Sequence, residues 1–480
     1  MPLATSLPEA PIFEVCGADN DPMRYFLKVI ERMPEDVADL ASRRRCLKRY
    51  FGDVSASDLN LGIDAVAKRY CTQSKPKCKA CPLRYNCAFA IRQAQTSTDH
   101  SLKLADLFCG AGGLSLGFEQ AGFATSFALD NDYWSVNTFR YNRPTLSESC
   151  VVHSDIAAWL KAPGVLPEID VLAGGVPCQS FSNANQQRQR NDPRSQLFVQ
   201  LFNAVDLIRP KVVVIENVSG FQHVGNSVER YFDAHGYAAS YCVIDGSNYG
   251  LPQRRKRIFY IGFSYEHFRD ATERVESSIA SIIKAGNMPR LTLADAIEDL
   301  PSLKPLRSKY APEAESSATG YAMQWHDITH ASDYVHRING RRTEVMVYNH
   351  KARYNNDRDI KIFSLLRQGE DSTAPKIRSL MPYKSRSHIF KDKYFKLRNN
   401  EPSRTITAHM RWDCNSYIHP HQPRGLTARE AARIQSFPDD YVFTGTFQRL
   451  YQQIGNAVPP IIARMLGNTI RRHINLAYTE

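Results

Sequence analysis

Cys178 lies in GGVPCQSFS, residues 174 to 182. The apolar run IDVLAGG leads into it, so the thiol is expected at the end of a strand, in a turn stiffened by Pro177. Most lone cysteines are inert small hydrophobes, but packing explains a Pro-Cys-Gln turn at a strand end poorly. A thiol held there can act as a nucleophile once ionised. DLFCGAGG, residues 106 to 113, places small residues between a strand and a helix. Glycines allow a tight turn and close backbone approach to a ligand at the helix N-terminus, although a purely structural turn uses the same residues. Asp130 ends the next strand, where a carboxylate commonly holds ribose hydroxyls. Ser154-Asp155-Ile156 falls near the end of the third, a position suited to an adenine edge.

These residues need a scaffold, and the chain supplies one from residue 102. LKLADLF, ATSFALD, IDVLAGG, KVVVIENV and RIFYIGF read as buried strands, with LSLGFEQAG and LFVQLFNAVDLI as helices among them. Such alternation predicts a parallel sheet covered on both faces, with ligands beyond the carboxyl ends of its strands. Residues 264 to 423 lose the alternation and read as an inserted domain of mixed, partly β structure. LTAREAARIQSF and PPIIARMLGNTIRRHINLAY then restore helices. Residues 20 to 70 read as short helices opened by Pro or by Ser/Asp caps.

Lys and Arg outnumber Asp and Glu 61 to 49, for a net charge of +12, which suits a polyanion and nucleic acid first. Much of the excess sits in residues 351 to 411, with 15 basic and 6 acidic side chains. No apolar stretch approaches the ~20 residues of a membrane span. The N-terminal residues lack a basic start and an apolar core, so a cytoplasmic, nucleoid-associated protein without membrane contact is expected.

Of the 11 cysteines, Cys71, Cys78, Cys81 and Cys87 crowd together as C-x6-C-x2-C-x5-C. Four thiolates in a compact loop suit a tetrahedral zinc or an iron–sulfur cubane. The spacing, the preceding helices and KPKCKACPLRYNC resemble the [4Fe–4S] loop of endonuclease III-type DNA glycosylases, which favours the cluster over zinc. The Leu-Pro-Gly-Val-Gly turn of those glycosylases is absent, which argues against base excision. Folding stability is one role for such a module. DNA contact through Lys75, Lys77, Lys79 and Arg84 is another, and the two are compatible.

From residue 102 onward the chain resembles the cytosine-C5 DNA methyltransferases. DLFCGAGG, Asp130, SDI, PCQSFS, ENV (216 to 218), QRRKRIF (253 to 259), REAARIQSFPDDY (429 to 441) and QIGNAVPP (453 to 460) appear in that family's order. The resemblance implies a Rossmann-like α/β domain that binds S-adenosyl-L-methionine. The cofactor would lie against Phe108, Gly110, Gly112, Gly113 and Pro177, with Asp130 at its ribose and Asp155 and Ile156 at its adenine. Asn456 and Val458 would close the pocket. Cys178 matches the nucleophile, next to Gln179. Glu216 matches the acid gripping cytosine N3 and its amino group, and Arg257 the contact to O2, with Arg255 supporting that end. The implied domains are an iron–sulfur module (1 to 94), a catalytic domain (102 to 263, completed by 424 to 480) and a target-recognition insert (264 to 423).

The chemistry of such a site follows from the substrate. Cytosine C5 is too poor a nucleophile to take a methyl group directly. Thiolate addition at C6 breaks the aromaticity and moves electron density to C5, while an acid at N3 stabilises the developing charge. A stacked base cannot be reached, so double-stranded DNA must yield a flipped cytosine. SNANQQRQRNDPRSQ, residues 182 to 196, reads either as a solvated loop or as a lid closing over DNA. As a lid, Gln186 or Gln187 would fill the vacated stack, and Arg188 or Arg190 would hold phosphates. A restriction or phage-defence system with cognate partners is the expected setting. The alternatives are a tRNA cytosine-C5 methyltransferase, against which the long basic insert argues, and a non-catalytic DNA-binding regulator.

Overall fold

Short runs of β-branched and aliphatic residues, each closed by glycine or a polar turn, become the central strands. The computed structural model describes residues 101–143, 146–176, 195–309, 315–382, 393–412 and 414–476. The first part of the chain runs β1 (Lys103–Leu107), α1 (Gly113–Gln120), β2 (Ala124–Asp130), α2 (Tyr133–Tyr141), β3 (Val151–His153), α3 (Ile156–Trp159) and β4 (Val171–Gly175). It continues as α4 (Ser195–Ile208), β5 (Val212–Val218), α5 (Gly225–Ala234), β6 (Tyr237–Asp245), β7 (Gln253–Arg254) and β8 (Lys256–Ser264).

Seven of these strands form one sheet in the order β3-β2-β1-β4-β5-β8-β6. The strands from β3 to β5 in that order are parallel. β8 runs antiparallel to both β5 and β6. The sheet is therefore mixed, which corrects the expectation of a parallel one. The cause is the short link between β6 and β8: it carries no crossover helix, and parallel neighbours need one. Sequence reading also missed β6 itself.

Alternate residues of the strands feed two cores. Leu104, Val171, Val212 and Val214 face Leu114 and Phe118 of α1 together with Ile462 and Leu466. Ala105, Leu107, Leu172, Val213 and Ile215 face Leu201 and Phe202 of α4 and Phe232 of α5. Both faces are covered, so the strands read as continuous apolar runs rather than alternating ones.

After β8 come α6 (Ala271–Ala285), α7 (Leu293–Ile297), β9 (Gly320–Asp327), α8 (Asp333–Ile338), β10 (Glu344–Lys351), α9 (Asp357–Leu365) and β11 (Ser403–Arg404). The last elements are α10 (Ala428–Ile434), α11 (Phe447–Asn456) and α12 (Pro460–Asn475). β9 and β10 form an antiparallel pair, and β11 pairs in parallel with β7. α6 buries Val275 and Ile282 in the same core as Phe259 and Phe263 of β8, at helical spacing within an otherwise polar run. Between α1 and α12 the backbones nearly touch. A Cβ on Gly117 would lie 2.3 Å from the Ala463 Cβ and 2.4 Å from the Pro460 carbonyl oxygen. No helix among the described residues is long and apolar enough to cross a membrane.

Candidate active site

The glycine turn follows β1 directly. Phe108 (φ 59°), Gly110 (φ 52°) and Gly112 (φ 83°) all adopt left-handed backbone, which folds the chain sharply back before α1. Asp106 is fully buried beneath the turn, where its carboxylate accepts from the Ser115 amide (3.2 Å) and hydroxyl (2.5 Å). At the end of β2, Asp130 accepts the Gly110 amide (2.8 Å) through one oxygen and the Asp132 amide (2.8 Å) through the other. Burial pushes its carboxyl above the ordinary range, against the pull of those amides. A Cβ on Gly110 would meet nothing within 4 Å among the described residues, which leaves this face of the turn open to a ligand on their side. Gly113 faces the other way: a Cβ there would sit 2.3 Å from the Val458 carbonyl oxygen. Tyr441 donates its hydroxyl hydrogen to the Ala111 carbonyl.

One strand over, the Ser154 amide donates to the Asp130 carbonyl (3.1 Å), which brings the SDI segment beside the turn. Asp155 caps α3, accepting from the amides of Ala157 (2.9 Å) and Ala158 (3.3 Å), and Ile156 is buried. Phe108, Gly110, Asp130 and Asp155 are thus gathered at the carboxyl ends of β1, β2 and β3. Asn456 ends α11 with an exposed side chain, and Val458 is buried against α1.

The second cluster forms at the carboxyl end of β5. Glu216, nearly buried, forms an ion pair with Arg257, its Oε1 2.9 Å from Nε. The antiparallel register sets this up, pairing Glu216 with Phe259 and Val218 with Arg257 across the two strands. A Cβ on Gly175 would lie 3.5 Å from Glu216 Oε2, so the carboxylate's other oxygen looks across the end of β4. Asn217 ties the two strands further, with Nδ2 donating to the Val176 carbonyl at 3.4 Å. Register places Leu107 beside Gly174, and Gly175 beside Glu216. The glycine turn and the Glu216–Arg257 pair therefore stand two strand spacings apart, roughly 10 Å.

Arg255 is buried behind that pair. It donates to the carbonyls of Ile406 (2.9 Å), Gly455 (3.3 Å) and Ala457 (3.0 Å). Burial, then the charge of Arg257, pull its guanidinium down to about 9. Gln253 completes the knot, donating to Gln435 Oε1 (2.9 Å) and accepting the Ile406 amide (2.7 Å). The QRRKRIF, REAARIQSFPDDY and QIGNAVPP segments meet at this one point. Sequence reading missed Asn217, Gln253 and Gln435; the only hint was their place inside those motifs.

A buried ionic lattice holds α10 in position. Thr427 and Glu430 form its capping box, and Arg424 grips Glu430 with two nitrogens (2.8 and 2.6 Å). Arg433 grips Asp439 twice (both 2.8 Å) and Asp299 once (2.5 Å), and Asp299 meets His326 at 3.1 Å. Burial alone would raise the Glu430 and Asp299 carboxyls, but Arg424 in one case and His326 with Arg433 in the other hold them well below their ordinary range. Burial lowers His350 to about 4 and His419 to about 3. Both rings stay neutral in the fold, so below a pH of about 6.5 the unfolded chain binds protons that the folded chain refuses. Stability is therefore expected to fall as pH drops from about 6.5 towards 4. Melting temperatures at pH 7.5 and 5.0 should differ, and His350→Gln should shrink the difference; an unchanged difference in the variant would remove His350 as a cause.

Pro177, Cys178, Gln179, Gln186, Gln187, Arg188 and Arg190 lie outside the described residues, as do Cys71, Cys78, Cys81 and Cys87. Among the described residues no group of three or more His, Cys, Asp or Glu side chains could hold a metal ion.

Comparison with known proteins accords with this geometry. Residues 102–472 match the family described as C-5 cytosine-specific DNA methylase. The chain is 32% identical over 432 residues to the type II methyltransferase M.AgeI of Thalassovita gelatinovora, covering 77% of this chain and 99% of that one. It is 30% identical over 394 residues to the type II methyltransferase M.DdeI of Desulfomicrobium norvegicum, covering 77% and 88%. The solved structure of a protein encoded within an E. coli prophage shares the fold, with a TM-score of 0.55 at 23% identity over 78% of this chain and 100% of that one. Spanned almost end to end by that family's pattern from residue 102, the chain belongs to the C-5 cytosine-specific DNA methylases and is a DNA (cytosine-5-)-methyltransferase.

Proposed function

We propose that the protein methylates C5 of a flipped cytosine within one short DNA sequence, through a covalent bond between Cys178 and cytosine C6. The observation that carries this reading is the Glu216–Arg257 pair, 2.9 Å apart at the carboxyl end of β5. It faces the end of β4, two residues before Pro177 in the chain. Glu216 hydrogen-bonds the cytosine, one oxygen donating a proton to N3 and the other accepting from the amino group, while Arg257 orients Glu216 and reaches O2. The Cys178 thiolate adds to C6, the electron pair moves toward N3, and protonated Glu216 stabilises it there. S-adenosylmethionine, when bound, supplies an electrophilic methyl group, and the open face of Gly110 with Asp130, Asp155 and Ile156 fits its nucleoside. Loss of the C5 proton then re-forms the C5–C6 double bond and expels Cys178.

Target recognition falls to the basic stretch within 264–423, and the polar residues 182–196 meet the DNA, Gln186 or Gln187 at the vacated stack and Arg188 or Arg190 at phosphates. Similarity to type II methyltransferases supports a place in a restriction or phage-defence system with a cognate partner. The C-x6-C-x2-C-x5-C spacing supports a [4Fe–4S] cluster on Cys71, Cys78, Cys81 and Cys87. Iron and sulfide in anaerobically purified full-length protein would bear this out, whereas zinc alone would replace the cluster with a zinc site. The activity is tested by bisulfite sequencing of plasmid from cells expressing wild type or Cys178→Ala. Protected cytosines in one motif, seen only with wild type, are expected; equal protection with the variant would refute Cys178 as the nucleophile.

A further inference from the structure

Beyond the substrate edge of the sheet lies a pocket of about 330 Å³ that the catalytic reading leaves unused. Arg254, Arg398, Arg404, Glu401 and Phe395 line it. Among the described residues, its lining carries three guanidinium groups and one carboxylate, a set suited to an anion. Its frame is the short β7–β11 pair, whose register sets Arg404 opposite Arg254, and the Thr405 hydroxyl fastens the frame by donating to the Arg254 carbonyl at 2.6 Å. The Arg404 guanidinium rests over the Phe395 ring, 4.8 Å from its centroid. Glu401 occupies the middle, accepting from Arg254 at 2.8 Å and from Arg398 at 3.3 Å.

Two features point to an exchangeable occupant. The side chains of Arg254, Arg398 and Glu401 are 55%, 52% and 37% exposed, and ion pairs that exposed contribute little. Glu401 can leave at little cost, while a phosphate diester offers the same guanidinium groups several acceptor oxygens. The pocket is also fixed relative to the chemistry. Arg254 is followed by Arg255, whose three buried hydrogen bonds lock the segment, and Arg257 reaches Glu216.

We infer that this pocket seats a backbone phosphate of the DNA carrying the target cytosine, and that Glu401 is a carboxylate placeholder displaced when the phosphate enters. The inference rests on the DNA-methylating function. It assigns Arg254, Arg398 and Arg404 a positioning role, holding the strand while the base is turned out. It also makes Glu401 an electrostatic brake on binding to any DNA.

The test uses full-length protein and two fluorescent duplexes, one with and one without the methylated motif, with anisotropy read from 50 to 300 mM KCl. Arg398→Ala should weaken both duplexes and lower the slope of log K against log salt by about 1. Glu401→Gln should tighten both, most at low salt. Arg472→Ala, at the opposite end of the sheet, should leave the slope alone. The inference fails if Arg398→Ala binds like wild type. It also fails if Glu401→Gln weakens binding, because Glu401 would then be bracing the arginines rather than standing in for phosphate. Titration with inorganic phosphate forms a separate arm: saturation of the pocket by the free ion with no change in DNA binding would make it a small-anion site and overturn the assignment. Bisulfite sequencing of the same preparations separates the levels. A wild type that methylates while the pocket variants bind DNA normally refutes the pocket alone, and a wild type that never methylates refutes the function beneath it.

Discussion

Replacing Glu216 with alanine should lower the methyl-transfer rate by about two to four orders of magnitude, with the loss in kcat rather than KM. The carboxyl group is worth little to the stacked, neutral base and a great deal once density builds on N3. Its preparation is visible in the fold. β5 delivers Glu216 to the sheet edge, and Arg257 holds one of its oxygens at 2.9 Å. The other looks past Gly175, where a Cβ would stand only 3.5 Å away. Alanine removes the acid and leaves Arg257 without its partner. Glu216→Gln keeps a donor of nearly the same shape but cannot yield a proton, so it should recover part of the loss. Transfer of labelled methyl to duplex DNA under single-turnover conditions measures the step. A rate within about threefold of wild type for Glu216→Ala would remove Glu216 from the mechanism.

Arg433→Met should be the most destabilising change in the C-terminal segment, costing about 3–5 kcal/mol. The side chain is fully buried and grips both Asp439 and Asp299. Methionine fills much the same volume but leaves the fully buried Asp439 carboxylate without the cation that grips it, while Asp299 keeps only His326. The damage comes from the orphaned acids more than from any attraction lost. A double variant, Arg433→Met with Asp439→Leu, should therefore melt closer to wild type than the single one, since it removes one stranded charge. Thermal melts of wild type, both single variants and the double variant decide the matter. If the double variant melts below wild type by the full sum of the two single losses, the residues act independently and the lattice account is wrong.

Legibility in the sequence varied with how local each feature is. DLFCGAGG announced its turn because left-handed backbone calls for glycine, and Gly110 and Gly112 adopt it as expected; Phe108 does so as well, which no propensity foretells. LTAREAARIQSF announced the helix α10, and the structure adds the Thr427–Glu430 capping box that starts it. The reversal of β8 was hidden because strand direction depends on the links between strands, not on the apolar run itself. The buried arginines were misleading in a different way. Arg424, Arg429 and Arg433 are charged, yet all three are fully buried, each satisfied in part by a carboxylate or carbonyl from a distant segment: Leu303, Tyr348 and Asp299 in turn. The Arg254–Glu401 pocket shares that origin, since 147 residues separate its two partners. Within the candidate site, Glu216 and Arg257 pair across β5 and β8, with Arg255 buried behind them. Asp155 showed a local duty in capping α3 that its motif did not foretell.

The most direct test of the central claim is chemical trapping. A duplex carrying the methylated motif is made with 5-fluorocytosine at the target position. Fluorine replaces the C5 proton whose loss releases the enzyme, so the bond from sulfur to C6 should persist after methyl transfer. A protein–DNA complex that survives denaturation, requires S-adenosylmethionine and maps to the peptide containing Cys178 is the predicted result. A complex mapping to another cysteine, or one formed equally by Cys178→Ala, would contradict it.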